Sequence, residues 1–280
     1  MILILGSSGK VGRELLPLLI ETGAAVRAAY RSRPPLIDGC ELVQVDAVTG
    51  DGIDAALEGV TDLFLLMGHM ANQTEVELGI VERAQAAGVG RIVKLSCLDA
   101  PSMAYSFARI HRPVEEAIEQ SGLAYTFLRP ENFMQNFLTD YADMVRGGTL
   151  YLPCGDARTC PIDARDIARV GAAVLGTREH DGKGYDLTGP EALTFSSICE
   201  TLGEAIGKTL AFETIPEAAF AEAMKAEGVS AEDIEIFLDL YRYIDAGQTS
   251  RATDWVERIT AQSATTFAEF ATAHKSVWMA

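Results

Sequence analysis

Gly6-Ser7-Ser8-Gly9-Lys10-Val11-Gly12 stands between the apolar run Ile2 to Leu5 and the amphipathic stretch Val11 to Glu21, and that placement decides the fold. One glycine lets the chain turn sharply off a strand, and another lets backbone approach a pyrophosphate. The helix that follows offers unpaired N–H groups and the positive end of its dipole. Gly6, Ser8, Gly9, Lys10, Val11 and Gly12 are therefore candidate phosphate ligands. The spacing is Gly-x-x-Gly-x-x-Gly, not the Gly-x-Gly-x-x-Gly of the usual dinucleotide fingerprint, so the strand before and the helix after carry the reading.

Outward from the loop, short continuous apolar runs alternate with helix-like segments. Ala25 to Ala29, Leu42 to Val45, Asp62 to Met67 and Arg91 to Ser96 read as strands, and Val76 to Ala87 reads as a helix. A second helix is expected over Pro113 to Gln120, then a strand over Ala124 to Leu128 ending at the turn signal Arg129-Pro130. Continuous runs are what strands buried on both faces show, so the class is α/β, a Rossmann-type doubly wound parallel sheet with a small C-terminal lobe. Beyond Pro130 the pattern breaks up. It resumes as a helix from Asp163 to Leu175, with Asp163 as N-cap and Asp166 in the first turn, and a late strand at Tyr185 to Leu187. Helices at Phe195 to Gly207, Glu217 to Glu227 and Ala231 to Ala246, with a strand-like Leu210 to Ile215, complete the lobe. The expected division is residues 1–130 with 162–189 as an NADP-binding core, and residues 131–161 with 190–280 as a substrate-binding lobe.

Composition narrows the partners. Lys plus Arg number 23 against 40 Asp plus Glu, and a net charge of −17 repels phosphate backbones, so no nucleic acid is expected. Met1 to Leu5 is too short for a signal or membrane segment, which points to a cytoplasmic protein with no membrane contact. The five cysteines are odd in number and scattered without paired metal-site spacing, so reduced thiols and no metal are expected. A small-molecule substrate is the expected partner, and a homodimer stays open.

The end of the second strand decides which dinucleotide fits. NAD sites place a carboxylate there for the ribose 2′-OH, whereas this chain reads Ala29-Tyr30-Arg31-Ser32-Arg33 with no acid before Asp38. Guanidinium matches phosphate oxygens in paired hydrogen bonds, so Arg31 and Arg33 favour NADP(H), with plain solvated loop charges as the alternative. Asp46 could accept from the adenine amino group or simply cap its own turn. Met67 and Gly68, with His69 after them, lie where adenine ribose and pyrophosphate should cross.

Several segments together resemble one family. Gly6 to Gly12, Ala87-Gly88-Val89 with Arg91 to Ser96, Gly122 to Asn136, and Asp163 to Ala168 look like the NmrA-like branch of the atypical short-chain dehydrogenases. The resemblance covers Met1 to about Gly189, with a weaker echo at Thr266 to Phe270, and implies a dinucleotide-binding fold. Members of that group are similar to triphenylmethane, azo, quinone and isoflavone reductases, and to redox-sensing regulators. Ordinary short-chain dehydrogenases use a Ser with Tyr-x-x-x-Lys, the lysine lowering the tyrosine pKa. Ser96 fits the serine position. Matching the lysine position to His111 puts Phe107 where the tyrosine belongs, and a phenyl ring has no proton to give.

Tyr105 lies two residues away as an alternative donor. His111 could hold the nicotinamide ribose, donate a proton, or merely pair with Glu115. The resemblance also implies that Pro130, Asn132 and Phe133 line cofactor and substrate, Asn132 toward the carboxamide. Phe133, Met134, Phe137 and Tyr141 recur at helical spacing and read equally as a core stripe. Without the tyrosine, the expected reaction is hydride transfer from NADPH to a conjugated acceptor: a quinone, iminium, azo or dye-like compound, or an enone. The alternative is a non-catalytic NADP(H) sensor that acts through a protein partner, and a sugar-nucleotide epimerase is disfavoured because its chemistry needs the tyrosine.

Overall fold

The computed structural model describes residues 1–279. Chain order begins with β1 (Ile2–Ile4), α1 (Gly12–Glu21), β2 (Val26–Tyr30), β3 (Glu41–Gln44), α2 (Ile53–Leu57), β4 (Asp62–Leu65), α3 (Gln73–Ala86) and β5 (Arg91–Leu95). It continues with α4 (Ser106–Gln120), β6 (Ala124–Pro130), α5 (Ala142–Gly147), β7 (Thr149–Leu152), β8 (Arg158–Thr159), α6 (Ala164–Leu175) and β9 (Lys183–Leu187). The last part holds β10 (Leu193–Thr194), α7 (Phe195–Ile206), β11 (Ala211–Thr214), α8 (Glu217–Ala226), α9 (Ala231–Asp245), α10 (Trp255–Thr260), α11 (Phe267–His274) and α12 (Ser276–Met279).

Seven strands form one sheet in the order β3-β2-β1-β4-β5-β6-β9, every pair parallel. The order reverses between β1 and β4, and that switch point opens a crevice at the carboxyl ends of the strands. Successive strand residues face opposite sides. Ile4, Phe64 and Val93 pack with α1 and α6, whereas Leu3, Leu5, Leu63 and Ile92 pack under α2, α3 and α4. The doubly wound core expected from the apolar runs is therefore present, with β9 as its late seventh strand.

Three differences have physical causes. α4 starts at Ser106, seven residues before Pro113, which lies inside the helix. Its first turn has no side-chain cap of its own. Instead Asp239 of α9 accepts from the Ser106 backbone N–H (2.7 Å) and hydroxyl (2.6 Å), a cap that sequence neighbours cannot disclose. Secondly, Thr149–Leu152, within the stretch that reads as irregular, pairs in parallel with β11 in a separate two-stranded sheet. Thirdly, the chain after Gly189 does not all join the lobe. Thr253 bonds along β9, its backbone N–H to Thr188 Oγ1 (2.8 Å) and its hydroxyl to the Asp186 carbonyl (2.7 Å). Trp255 then packs on Tyr185 in a tilted arrangement (4.9 Å between ring centroids) and Val256 enters the core beside α6.

The lobe has its own core, built around Phe137, Phe267, Phe270 and Trp278, with the Trp278 indole N–H donating to the Phe137 carbonyl (2.8 Å). Helix α9 leaves it to lie across α4, where Tyr243 stacks on Tyr105 at 4.3 Å. The lobe thus covers the carboxyl ends of β5 and β6. No helix among the described residues is long and apolar enough to cross a membrane.

Candidate functional site

The glycine loop is a cradle that only glycine can form. Gly6 has φ +74°, and a Cβ there would lie 2.6 Å from the Leu66 carbonyl oxygen. A Cβ on Gly12 would lie 2.2 Å from the Gly6 carbonyl oxygen, so the start of α1 packs directly on the turn. Gly9 closes the loop with an N–H to Gly6 carbonyl bond of 3.0 Å, and the buried Ser7 hydroxyl anchors it to the Ala29 carbonyl of β2 (2.7 Å). Val11, buried in the core, stands at the N-cap of α1 without a side-chain cap; the Arg13 and Glu14 N–H groups bond the Gly9 (3.2 Å) and Val11 (3.1 Å) carbonyls, which leaves those of Val11 and Gly12 without a partner among the described residues. Ser8 and Gly9 are exposed beside it.

Lys10 reaches across the crevice, donating to Asn136 Oδ1 (2.9 Å) and Thr139 Oγ1 (3.2 Å). It ties the loop to the lobe, a link with no signal in the sequence because its partners lie more than a hundred residues away.

At the end of β2, Arg31 and Arg33 are exposed, and neither forms an ion pair among the described residues. In a chain of net charge −17, two unpaired cations side by side present an anion site. Asp46 accepts from the backbone N–H of Val48 (2.9 Å), the turn-capping arrangement, which leaves its second oxygen free. Met67 is half-buried and Gly68 exposed after β4. His69, following them, is not simply in solvent: its Nε2 lies 2.9 Å from Asp233 of α9, and its ring meets Phe107 edge-on at 5.2 Å.

Ser96 ends β5 with its N–H on the Leu128 carbonyl (2.7 Å). Its hydroxyl is buried without a hydrogen-bond partner among the described residues. His111 projects from α4 onto β5, where its Nδ1 meets Lys94 Nζ at 3.2 Å. Burial, then the neighbouring Lys94 charge, and then His69 hold its pKa well below the usual imidazole range. Glu115 is not its partner. That carboxylate takes Arg129 in a bidentate pair (2.9 and 2.8 Å) and Arg112 (3.1 Å). Tyr105 is buried, its hydroxyl donating to the Leu98 carbonyl at 2.7 Å, and burial first of all pushes its pKa far up. Tyr105 lies just before α4 in extended backbone, so its relation to Phe107 is not that of two faces of one helix.

Pro130 ends β6 and accepts from the Leu98 N–H (2.9 Å). Asn132 and Phe133 follow it into a small, largely apolar cavity within the lobe, which Phe137, Tyr141, Thr159 and α9 residues Leu240 and Tyr241 also line. It encloses about 20 Å³, room for roughly one water. Phe133 and Tyr141 line the cavity, and Met134 is fully buried in the lobe core, which is the packing half of the reading.

Glu131 was missed. It is 4% exposed, accepts from Thr159 Oγ1 at 2.5 Å, and leaves Oε2 with no partner among the described residues. Burial pushes its pKa up to about 8. Also missed was the fully buried pair of Lys94 and Glu77. The signal existed in both cases: a lysine interrupts the apolar run of β5, and a glutamate occupies the face of α3 shared by Gln73, Ile80 and Ala84.

A parallel sheet in this order, with a glycine cradle at its switch point, defines a dinucleotide-binding protein. The chain belongs to the NmrA-like family, whose profile matches residues 1–271. It is 31% identical over 284 residues, 99% of each chain, to the NAD(P)H azoreductase of Xenophilus azovorans. Over 278 residues, 98% of each, it is 30% identical to a (4-alkanoyl-5-oxo-2,5-dihydrofuran-3-yl)methyl phosphate reductase of Streptomyces griseus. The NADPH-dependent quinone oxidoreductase QOR2 of Escherichia coli, in its structure with NADPH, superposes with a TM-score of 0.87 at 25% identity, covering 98% of this chain and 99% of that one. The chain is accordingly an oxidoreductase, with NADP(H) as its dinucleotide.

Proposed function

We propose that the protein reduces a conjugated small molecule, a quinone, iminium, azo or dye-like compound or an enone, at the expense of NADPH. The bound nicotinamide supplies the hydride. Backbone N–H groups of Ser8, Lys10, Val11 and Gly12 hold the pyrophosphate at the start of α1, with Gly6 and Gly9 giving it room. Arg31 and Arg33 hold the 2′-phosphate, and Asp46, Met67 and Gly68 border the adenosine half. The free hydroxyl of Ser96, His111, Pro130 and Asn132 receive the nicotinamide half, and Phe133 forms the wall against which a flat apolar acceptor lies.

The observation that carries this reading is the fate of the proton donors. Tyr105 spends its hydroxyl on the Leu98 carbonyl and Phe107 has none to offer, so neither residue at the usual tyrosine position supplies the phenol of a simple ketone reductase. Acceptors that disperse the incoming charge over a conjugated system need chiefly a well-placed hydride. NADPH oxidation with a panel of quinones, azo dyes, dye cations and enones tests the reading. Turnover with one of these classes is expected. Tight NADPH binding with no turnover across the panel would overturn it and shift attention to a sensing role.

A further inference from the structure

Lys94 is an expensive residue to place in the middle of a buried strand. It is fully buried, as is Glu77, with which it forms an ion pair. Buried pairs of this kind are weak stabilisers, because desolvation offsets most of the attraction, and well-packed apolar residues do as well or better. The third member of the cluster is His111, 8% exposed at the floor of the cleft.

We propose that the Glu77–Lys94 pair is a positioning device that fixes His111 as the neutral tautomer protonated on Nε2, so that His111 serves the cleft as a hydrogen-bond donor and not as an acid.

The argument is a count of protons. A lysine ammonium has three donors and no lone pair. Lys94 Nζ has three acceptors around it: a carboxylate oxygen of Glu77, the Leu95 carbonyl at 3.3 Å and His111 Nδ1 at 3.2 Å. Nδ1 must therefore accept, and the ring proton stands on Nε2. The other Glu77 oxygen accepts from Gln73 Nε2 at 3.2 Å, so the pair is anchored within α3 and cannot turn away.

The cations facing the ring oppose a second proton, and the nearby carboxylates are engaged by other cations. Lys94 from β5 is cationic, and His69 from the segment after β4 is drawn toward Asp233 of α9. Glu77 of α3 is engaged by Lys94, while Glu115, one turn along α4, is turned to Arg129 and Arg112. Nε2 has no acceptor among the described residues. The oxygen it serves, a ribose hydroxyl or the acceptor's own carbonyl, rests on the reductase reading; the tautomer does not.

The test uses the full chain labelled with 15N-histidine, its His111 signals assigned by their loss in His111→Gln. Two-bond 1H–15N spectra between pH 5 and 8 distinguish the tautomers and follow protonation. The expected result is a single Nε2–H tautomer that stays neutral across the range. In the double variant Glu77→Leu/Lys94→Met, which removes both charges together, the ring should populate both tautomers and titrate nearer its ordinary 6.5. An Nδ1–H tautomer or an imidazolium near pH 7 in the unmodified protein would overturn the proposal without any variant. So would a double variant whose His111 signals are unchanged. None of these spectra needs turnover, so failure of the reductase reading would be seen separately, in the NADPH assay.

Discussion

Glu131→Gln should stabilise the protein, and by an amount that grows with pH. The carboxyl is 4% exposed and its pKa is raised to about 8 by burial, against an ordinary 4.5. In the unfolded chain it ionises near that ordinary value. Between the two, the native state holds a proton that the unfolded state has lost, so stability falls as pH rises and the loss is complete once pH passes the folded pKa. At about 1.4 kcal/mol per pH unit, the native carboxyl costs roughly 4 kcal/mol more at pH 8 than at pH 5, an order-of-magnitude figure. Gln keeps the oxygen that accepts from Thr159 and removes the titration. Urea unfolding of both proteins at pH 5, 6.5 and 8 isolates the effect, since all other groups titrate alike in the pair. The stability difference should be small at pH 5 and widen by several kcal/mol toward pH 8. Parallel profiles for the two proteins would refute the assignment of a protonated carboxyl in this site.

Replacing Arg31 and Arg33 by Ala should weaken NADPH binding by about 1.5–3 kcal/mol for each charged hydrogen bond lost, roughly 10- to 100-fold per bond, and leave NADH almost unchanged in a fluorescence titration. Gly12→Ala drives a methyl group to 2.2 Å from the Gly6 carbonyl oxygen, so nucleotide binding should collapse while the far-UV spectrum of the remaining fold persists. Asp239→Ala removes the distant cap of α4 and should cost about 1–2 kcal/mol in chemical denaturation.

The sheet was legible because its central strands β1, β4 and β5 are buried on both faces and therefore read as short, largely apolar runs. The glycine cradle was legible because backbone contact leaves no alternative residue at Gly6 and Gly12. What escaped reading depends on partners far away in sequence. The start of α4 was hidden because its cap is Asp239, and Pro113 offered a more local but misleading start signal. The orientation of His111 was hidden because Glu115 lies at the right helical spacing, yet Arg129 at the end of β6 claims it. The return of α10 to the core follows from Thr253 pairing along an edge strand, which no periodicity encodes. Lys94 and Glu131 were legible in principle, as charges inside apolar surroundings, and both lie near the proposed chemistry.

The most direct test of the account is the fate of deuterium carried at C4 of NADPH during reduction of an enone acceptor. The account predicts that label on one of the two C4 positions appears on carbon in the product and slows turnover, as direct transfer within one closed site requires. Product free of deuterium from either position, or NADPH that binds and is never oxidised, would contradict it.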